Sequence, residues 1–312
     1  MKSKDNSLQK LIVILGPTAS GKTSWSLQLA EQFKGEIISA DSRQLYKKMT
    51  IGTAKVEGDW KWTGLNRNYC VGKTQHHLID FLDPGKQFTL TQFRDLAVKH
   101  IKKIHKNKKT PFLVGGTGLY IQSIVDNYNI PKVPPNKKLR MSLEEKSLEE
   151  LHSLLKKMDP VAAEKIDKRN GRRLVRALEV CIFTGETFSS QRLKGEPLFN
   201  TLQIGIDIPR ELLYQRIDMR VDEMISQGLI KEIKALLKQK YSWDLPSMNG
   251  VGYKEMRPFI EGEKTLEECT EILKRNTRRL ARKQLTWFRK DKRVIWVKSY
   301  EEAQELVKDF VK

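Results

Sequence analysis

A glycine-rich loop between a buried strand and a helix restricts the fold of this chain more than any other sequence feature. Residues 11–15 are all apolar, as in strands of a parallel sheet that is covered on both faces. Gly16 ends this run, and apolar residues recur with helical spacing from residue 24 to 33. The intervening residues fit the P-loop pattern, which predicts an α/β fold with a P-loop core.

The loop itself predicts a polyphosphate ligand. Backbone N–H groups of such a loop converge on an anion at a helix N-terminus, Lys22 supplies a positive charge, and Thr23 offers a hydroxyl to Mg²⁺. The alternative, a glycine turn that binds nothing, does not account for the strand and helix on either side. The predicted diphosphate-binding residues are Gly16, Pro17, Thr18, Ala19, Ser20, Gly21, Lys22 and Thr23.

Further apolar runs extend the pattern. Strands are predicted at residues 36–40, 112–114, 202–208 and 293–297, and the first of these alternate with helices. This alternation indicates a parallel sheet flanked by helices, with strands from both ends of the chain.

A separate helical segment interrupts this core. A proline-rich stretch starts at Ile130, and the sequence from there to about residue 197 has helical periodicity without a convincing strand. Asp159 before Pro160 predicts one helix start, and Gly185 predicts one helix end. We therefore predict a catalytic core at residues 1–130 and 201–312, and an all-helical inserted domain at residues 131–200.

The charge and the termini limit the partners and the location. A formal net charge of +20 favours polyanions such as nucleic acid. Residues 1–10 are polar, and the apolar run that follows is too short for a signal sequence or a membrane span, so we expect a cytoplasmic protein without membrane attachment. Cys70, Cys181 and Cys269 lack metal-site spacing and are expected to be reduced thiols. A structural or hydrogen-bonding role is expected for the adjacent His76 and His77 in preference to a metal site.

Two loops are candidates for chemistry. Asp41 follows the second strand and Gly115, Gly116 and Thr117 follow the third, at the sheet edge that faces ligands in open α/β folds. Asp41 could equally cap a helix that starts near Ser42, and the glycines could form only a tight turn.

Two helices carry cations that could bind phosphate. Arg216 and Arg220 share one face of a helix, opposite an apolar stripe, and could instead be solvated. The final long helix, predicted from a capping box at Thr265 to about Phe288, is basic in its second half and suits a phosphate backbone. Its cations, with the two that follow it, are Lys274, Arg275, Arg278, Arg279, Arg282, Lys283, Arg289 and Lys290.

Taken together, these residues resemble the tRNA dimethylallyltransferase family. Five blocks carry the resemblance: the P-loop at 16–23, ISADSRQLY at 38–46 with IGTAK at 51–55, HHLID at 76–80, VGGTGLY at 114–120, and NTRRLARKQLTWF at 276–288. RRLVRALE at 172–179 and GVGYKE at 250–255 support it. Residues 56–75 form a longer connection than is usual in bacterial members, and Trp60, Trp62 and Tyr69 there have no family role.

The resemblance implies a reaction and assigns roles. The P-loop would hold the pyrophosphate of dimethylallyl diphosphate instead of ATP, with magnesium near Thr23. The acceptor would be the exocyclic amine of the adenine 3′ of the tRNA anticodon. Asp41 would be the general base, Thr117 would position the acceptor, and Arg220 would stabilise the leaving group.

The resemblance also implies how a monomer would grip tRNA. The acceptor base must be flipped into a channel while the surrounding loop is held. The implied tRNA-binding residues are Asp41, Ser42, Arg43, Gln44, Thr117, Arg172, Arg173, Arg176, Arg278, Arg279 and Arg282. The rival functions are a P-loop small-molecule kinase, a nucleotide-gated RNA-binding protein, and an adenylate isopentenyltransferase, which modifies free nucleotides.

Overall fold

The computed structural model describes residues 8–64, 66–131, 133–191 and 194–312. The chain divides into two compact units, which we call the core unit (Met1–Val125 with Leu198–Lys312) and the helical unit (Asp126–Pro197). Of the segments interpreted above, the following lie outside the described residues: residues 1–7 of the polar N-terminal stretch, Leu65 of the 56–75 connection, Lys132 of the proline-rich stretch, and Arg192 and Leu193 of the predicted inserted domain.

Within the described residues, the strands of the core unit form one eight-stranded sheet. In chain order they are β1 (Lys10–Leu15), β2 (Gly35–Ser39), β3 (Asp59–Thr63), β4 (Asn66–Val71), β5 (Thr74–His77), β6 (Thr110–Gly115), β7 (Asn200–Ile206) and β8 (Val294–Val297). Their order across the sheet is β3-β4-β5-β2-β6-β1-β7-β8. The five strands predicted from the sequence are confirmed as β1, β2, β6, β7 and β8.

The sheet is parallel from β5 to β8 and antiparallel at its other edge. The five predicted strands pair in parallel, as expected, and β5, which was not predicted, adds a sixth parallel strand beside β2. β3 and β4 form an antiparallel hairpin that joins the sheet through β5. The sequence did not predict this extension, because residues 56–75 lack the continuous apolar run of a doubly covered strand.

The described helices are α1 (Lys22–Gln32), α2 (Leu90–Lys106), α3 (Gly118–Val125), α4 (Lys137–Glu144), α5 (Leu148–Met158), α6 (Pro160–Lys165), α7 (Gly171–Thr184), α8 (Phe188–Gln191), α9 (Arg210–Ser226), α10 (Leu229–Lys238), α11 (Arg257–Ile260), α12 (Leu266–Phe288) and α13 (Tyr300–Val311), with a 3-10 helix at Lys254–Met256. Helix α12 begins after a capping box at Thr265 and ends at Phe288, which confirms the predicted basic helix. No helix among the described residues is long and apolar enough to cross a membrane.

Both faces of the sheet are covered. Ile12 and Ile14 of β1 pack with Leu29 of α1 and Val307 of α13 on one face. On the other face, the alternate β1 residues pack with α2 and α12. Such double coverage explains why the sequence of β1 is apolar throughout.

The helical unit contains α4 to α8 around its own small core. The Asp159 side chain accepts a hydrogen bond from the backbone of Ala162, and Pro160 occupies the first turn of α6. Gly185, with φ of 73°, ends α7 in the left-handed conformation. The predicted helix start and helix end are therefore both confirmed.

Candidate active site

The P-loop connects β1 to α1 at the carboxyl edge of the parallel strands. Gly21 adopts φ of 94°, a left-handed conformation that favours glycine, directly before α1 begins at Lys22. The turn closes through a hydrogen bond from the Ser20 backbone N–H to the Pro17 carbonyl at 3.3 Å. This arrangement places the loop amides at a helix N-terminus, where anions bind.

Lys22 is held within the loop. Its Nζ donates a hydrogen bond to the Pro17 carbonyl at 2.6 Å. Burial lowers the pKa of Lys22 to about 8; nearby Asp41 opposes this shift and Arg220 adds to it. A bound anion would favour the charged ammonium and so would raise this pKa again.

Asp41 lies two residues beyond the end of β2 and caps a turn, not a helix. Its Oδ1 accepts hydrogen bonds from the backbone N–H groups of Arg43 at 2.8 Å and Gln44 at 3.4 Å. Its Oδ2 accepts no hydrogen bond from the described part of the chain. One carboxylate oxygen therefore fixes the loop and the other remains available to a ligand.

Thr117 supports the Asp41 loop from β6. Its Oγ1 accepts a hydrogen bond from the Ser42 backbone N–H at 3.0 Å, and its own backbone N–H donates to the Ala40 carbonyl at 3.1 Å. A side chain at Gly115 would clash with the Ala40 backbone. The Gly-Gly-Thr segment is thus packed against the Asp41 loop, and is more than an isolated turn.

Arg220 and Arg216 face the P-loop from α9. Leu213, Ile217 and Val221 are buried, which confirms the predicted apolar stripe. Arg220 lines the pocket, and burial lowers its pKa. Arg216 is exposed, but its Nη1 would lie 3.9 Å from a Cβ built on Gly21.

These elements enclose a pocket within the core unit. Polar side chains of Thr18, Lys22, Thr23, Asp41 and Arg220 line it together with apolar ones of Ile37, Val56, Ile79 and Val114. Gln44 also borders the pocket, and its Nε2 donates to the Thr53 and Ala54 carbonyls. Ser42, Arg43 and Thr117 lie beside the pocket and do not line it.

Two residues that had no role predicted from the sequence hold loops at or next to the pocket. Gln284 of α12 accepts from the Thr18 backbone and donates to the Gly116 carbonyl. Glu232 of α10 accepts hydrogen bonds from the backbone of residues 50–52 and from the Tyr253 hydroxyl. The sequence gives no local signal for either role, because their partners lie far away in the chain.

The predicted tRNA-binding arginines differ in whether their side chains are exposed or already bound to another group of the protein. Arg279 and Arg282 on α12 are exposed. Arg278 on the same helix pairs with Asp218 at 3.0 Å and lies over the Tyr214 ring. The Arg43 guanidinium donates to the Pro246 carbonyl at 2.5 Å.

The arginines of the helical unit divide in the same way. Arg172 and Arg173 at the start of α7 are exposed. Arg176 pairs with the buried Glu179 at 2.6 Å, and Arg140 binds the same carboxylate at 2.7 Å. Burial opposes ionisation of Glu179, but its hydrogen bonds to Arg140, the Asn136 backbone and Arg176 outweigh that cost and lower its pKa to about 2.

The Thr23 hydroxyl lies where a magnesium ion could bind beside the P-loop. No group of three or more His, Cys, Asp or Glu residues that could hold a metal occurs among the described residues. Mg²⁺ commonly takes one or two protein ligands and completes its shell with phosphate oxygens and water. The Thr23 hydroxyl at the P-loop suits an ion that arrives with a diphosphate.

A P-loop on a helix-covered sheet, with a lysine, an aspartate and an arginine around one partly apolar pocket, defines an α/β protein whose pocket suits a phosphorylated ligand. A family model described as IPP transferase matches residues 44–291. The chain belongs to the IPP transferase family, which confirms the resemblance drawn from the five sequence blocks.

Named relatives agree with this family. A tRNA dimethylallyltransferase from Roseiflexus sp. is 45% identical, with 90% of each chain covered. One from Acetivibrio thermocellus is 42% identical over 97% of this chain and 96% of its own. The tRNA isopentenylpyrophosphate transferase structure from Bacillus halodurans aligns with a TM-score of 0.69 and 38% identity, covering 97% of this chain and 95% of that one. A eukaryotic dimethylallyltransferase acting on tRNA aligns with a TM-score of 0.74 and 31% identity, covering 89% of this chain and 69% of that one.

Proposed function

We propose that this chain transfers the dimethylallyl group of dimethylallyl diphosphate to the exocyclic amine of the adenosine 3′ of the anticodon in tRNA. The observation that carries the proposal is the convergence of Lys22, Asp41 and Arg220 on one pocket with partly apolar walls. The cations suit a diphosphate, the apolar walls suit a five-carbon chain, and the carboxylate suits a proton acceptor.

The donor end stabilises the leaving group. The loop amides, Lys22 and Arg220 would bind the diphosphate oxygens, on which negative charge accumulates as the carbon–oxygen bond breaks. Magnesium held by Thr23 and the diphosphate would supply further neutralisation of this charge. Because Lys22 and Arg220 are partly desolvated before the ligand binds, their interaction with the diphosphate is stronger than it would be in water.

The acceptor end removes a proton. The exocyclic nitrogen forms a bond to C1 of the dimethylallyl group, the C1–oxygen bond breaks, and its electron pair leaves with diphosphate. The amine proton passes to Asp41, whose Oδ2 is unoccupied by any described residue while Oδ1 holds the loop in place. Thr117 acts on this geometry through Ser42.

The proposal includes a monomer that grips tRNA in the cytoplasm. The exposed Arg279 and Arg282 would contact the RNA backbone, with Arg172 and Arg173 of the helical unit. The three cysteines are buried and free, as in a reducing compartment. The flipped adenosine would leave its stack to reach the pocket.

One experiment tests the proposal against its rivals. The purified protein is incubated with Mg²⁺ and dimethylallyl diphosphate, and tRNA, AMP, or ATP with candidate metabolites are offered in parallel. Mass spectrometry of the products is expected to show one added C5H8 on the adenosine 3′ of the anticodon. Prenylated AMP with unmodified tRNA, or phosphate transfer from ATP, would contradict it.

A further inference from the structure

The β3–β4 hairpin forms the edge of the sheet beside the pocket, and the reaction proposed above leaves it without a role. β3 pairs with β4, and β4 pairs with β5, which joins the parallel strands at β2. Two successive antiparallel pairings make β3 run in the same direction as β5. The end of β3 at Thr63 therefore lies toward the carboxyl edge of the sheet, where the P-loop and Asp41 lie.

A row of rings connects the pocket to this hairpin. His76 of β5 lines the pocket, and its ring lies 6.5 Å from that of Tyr69, edge to face. Tyr69 in turn meets Trp60 at 5.9 Å. The backbone register pairs His76 with Tyr69 and Tyr69 with Trp60, so the three side chains share one face of the sheet.

The row is fixed in place by hydrogen bonds. Trp60 Nε1 donates to Asp80 Oδ2 at 2.9 Å, and Lys55 pairs with the other oxygen of Asp80 at 2.7 Å. The Tyr69 hydroxyl donates to the Val56 carbonyl at 2.7 Å. The base of the hairpin is thus attached to the loop that carries Val56 on the pocket wall.

Trp62 continues the same face and is open to solvent. It stands two residues beyond Trp60, and the register pairs it with Arg67. Trp62 is 74% exposed, Arg67 is exposed, and Arg67 has no ion-pair partner among the described residues. In an idealised sheet, two strand spacings and two residue steps place Trp62 roughly 12 Å from His76.

We propose that Trp62 and Arg67, which we call the Trp62 patch, form a stacking platform for an unpaired nucleotide of the tRNA anticodon loop. An exposed aromatic ring beside a cation is the pattern that stacks a base and neutralises its phosphate. Residues 59–77 contain three cations, Lys61, Arg67 and Lys73, and one acid, Asp59. This excess of positive charge favours binding of a polyanion. A protein interface commonly buries about 800 Å² per partner, far more than one indole offers.

The inference rests on the proposed transfer to tRNA and is tested with an anticodon stem-loop RNA. Trp62→Ala is expected to raise the Kd of the stem-loop about 5- to 100-fold and Trp62→Phe less than about 3-fold, since a phenyl ring still stacks. Affinity for diphosphate and the unfolding temperature stay unchanged, because Trp62 is exposed and outside the pocket. Arg67→Gln is expected to make the log–log salt dependence of binding less steep by about 0.7.

The matched control is Ile295→Ala, an exposed apolar residue on β8 at the opposite edge of the sheet, which should leave stem-loop affinity unchanged. Stem-loops that carry 4-thiouridine at single loop positions should crosslink to the peptide containing Trp62.

Three outcomes would contradict these proposals. If Trp62→Ala prenylates tRNA and binds the stem-loop with a Kd within 2-fold of wild type, the stacking platform is wrong and the proposed function still holds. Loss of self-association in Trp62→Ala with unchanged RNA binding would assign the patch to a second copy of the chain and also overturn it. A wild-type protein that prenylates no RNA would instead overturn the proposed function.

Discussion

Gln284 Oε1 accepts a hydrogen bond from the backbone N–H of Thr18 at 2.8 Å, although the two residues are 266 positions apart. The Nε2 of the same side chain donates to the Gly116 carbonyl at 2.9 Å. A single amide on α12 therefore fixes two loops that border the pocket. We interpret Gln284 as a positioning residue that connects the basic helix to the P-loop.

Replacing Gln284 with Leu is expected to raise the Kd for diphosphate about 10-fold. The change leaves the Thr18 N–H and the Gly116 carbonyl without partners, which loosens the loop that holds the ligand. Gln284→Glu restores only the acceptor for Thr18 and should fall in between. Calorimetric titration in Mg²⁺ measures the effect, with Gln304→Leu as control because Gln304 bonds Gln32 on the surface. Diphosphate affinity within 2-fold of wild type would remove the positioning role.

Asp41→Asn is expected to lower the single-turnover rate by about two to four orders of magnitude while tRNA affinity is kept. Asparagine retains Oδ1 as the acceptor for the Arg43 N–H, so the loop keeps its shape, but it cannot take a proton at neutral pH. Rapid-quench measurements of prenylated tRNA separate this step from binding. Turnover within a few-fold of wild type would show that another group removes the amine proton.

The exposed cations of α12 should set the salt dependence of tRNA binding. Arg279→Gln with Arg282→Gln is expected to make the log–log slope less steep by about 1.4, at roughly 0.7 per phosphate contact. Arg278 should contribute less, because Asp218 already neutralises it. The control replaces Lys231 and Lys234, exposed cations of α10 with the same spacing. If the variant, the control and the wild type have equal slopes, Arg279 and Arg282 do not contact the phosphates of tRNA and this face of α12 is ordinary solvated surface.

The regular elements could be predicted because their signals are local. The apolar run of β1, the capping box before α12 and Gly185 after α7 each act through neighbours in sequence. As expected, β1 ends before Gly16, α12 begins after Thr265 and α7 ends before Gly185. The β3–β4 hairpin could not, because its Trp and Lys residues alternate on an edge whose partner strand is specified only by tertiary pairing.

The candidate site was predictable to a similar degree. The P-loop and Asp41 follow strands directly, so strand order alone brings them to one edge of the sheet. Gln284, Glu232 and the ion pair that engages Arg278 depend on contacts across the fold. A helix face in the sequence does not distinguish a solvated arginine from a paired one.

The lowered pKa of Lys22 predicts how ligand binding depends on pH. In the ligand-free protein, burial brings the pKa of Lys22 to about 8, so its side chain is charged below that pH and increasingly neutral above it. A bound diphosphate favours the ammonium form and raises this pKa, so binding above pH 8 takes up a proton. Affinity for a non-reactive diphosphate ester should therefore fall as pH rises past 8, by up to about tenfold per unit. Lys22→Arg stays charged and should lack this fall, and ionisation of the ester itself cancels between the two proteins. Superimposable pH profiles for wild type and Lys22→Arg would mean that Lys22 remains protonated in both states.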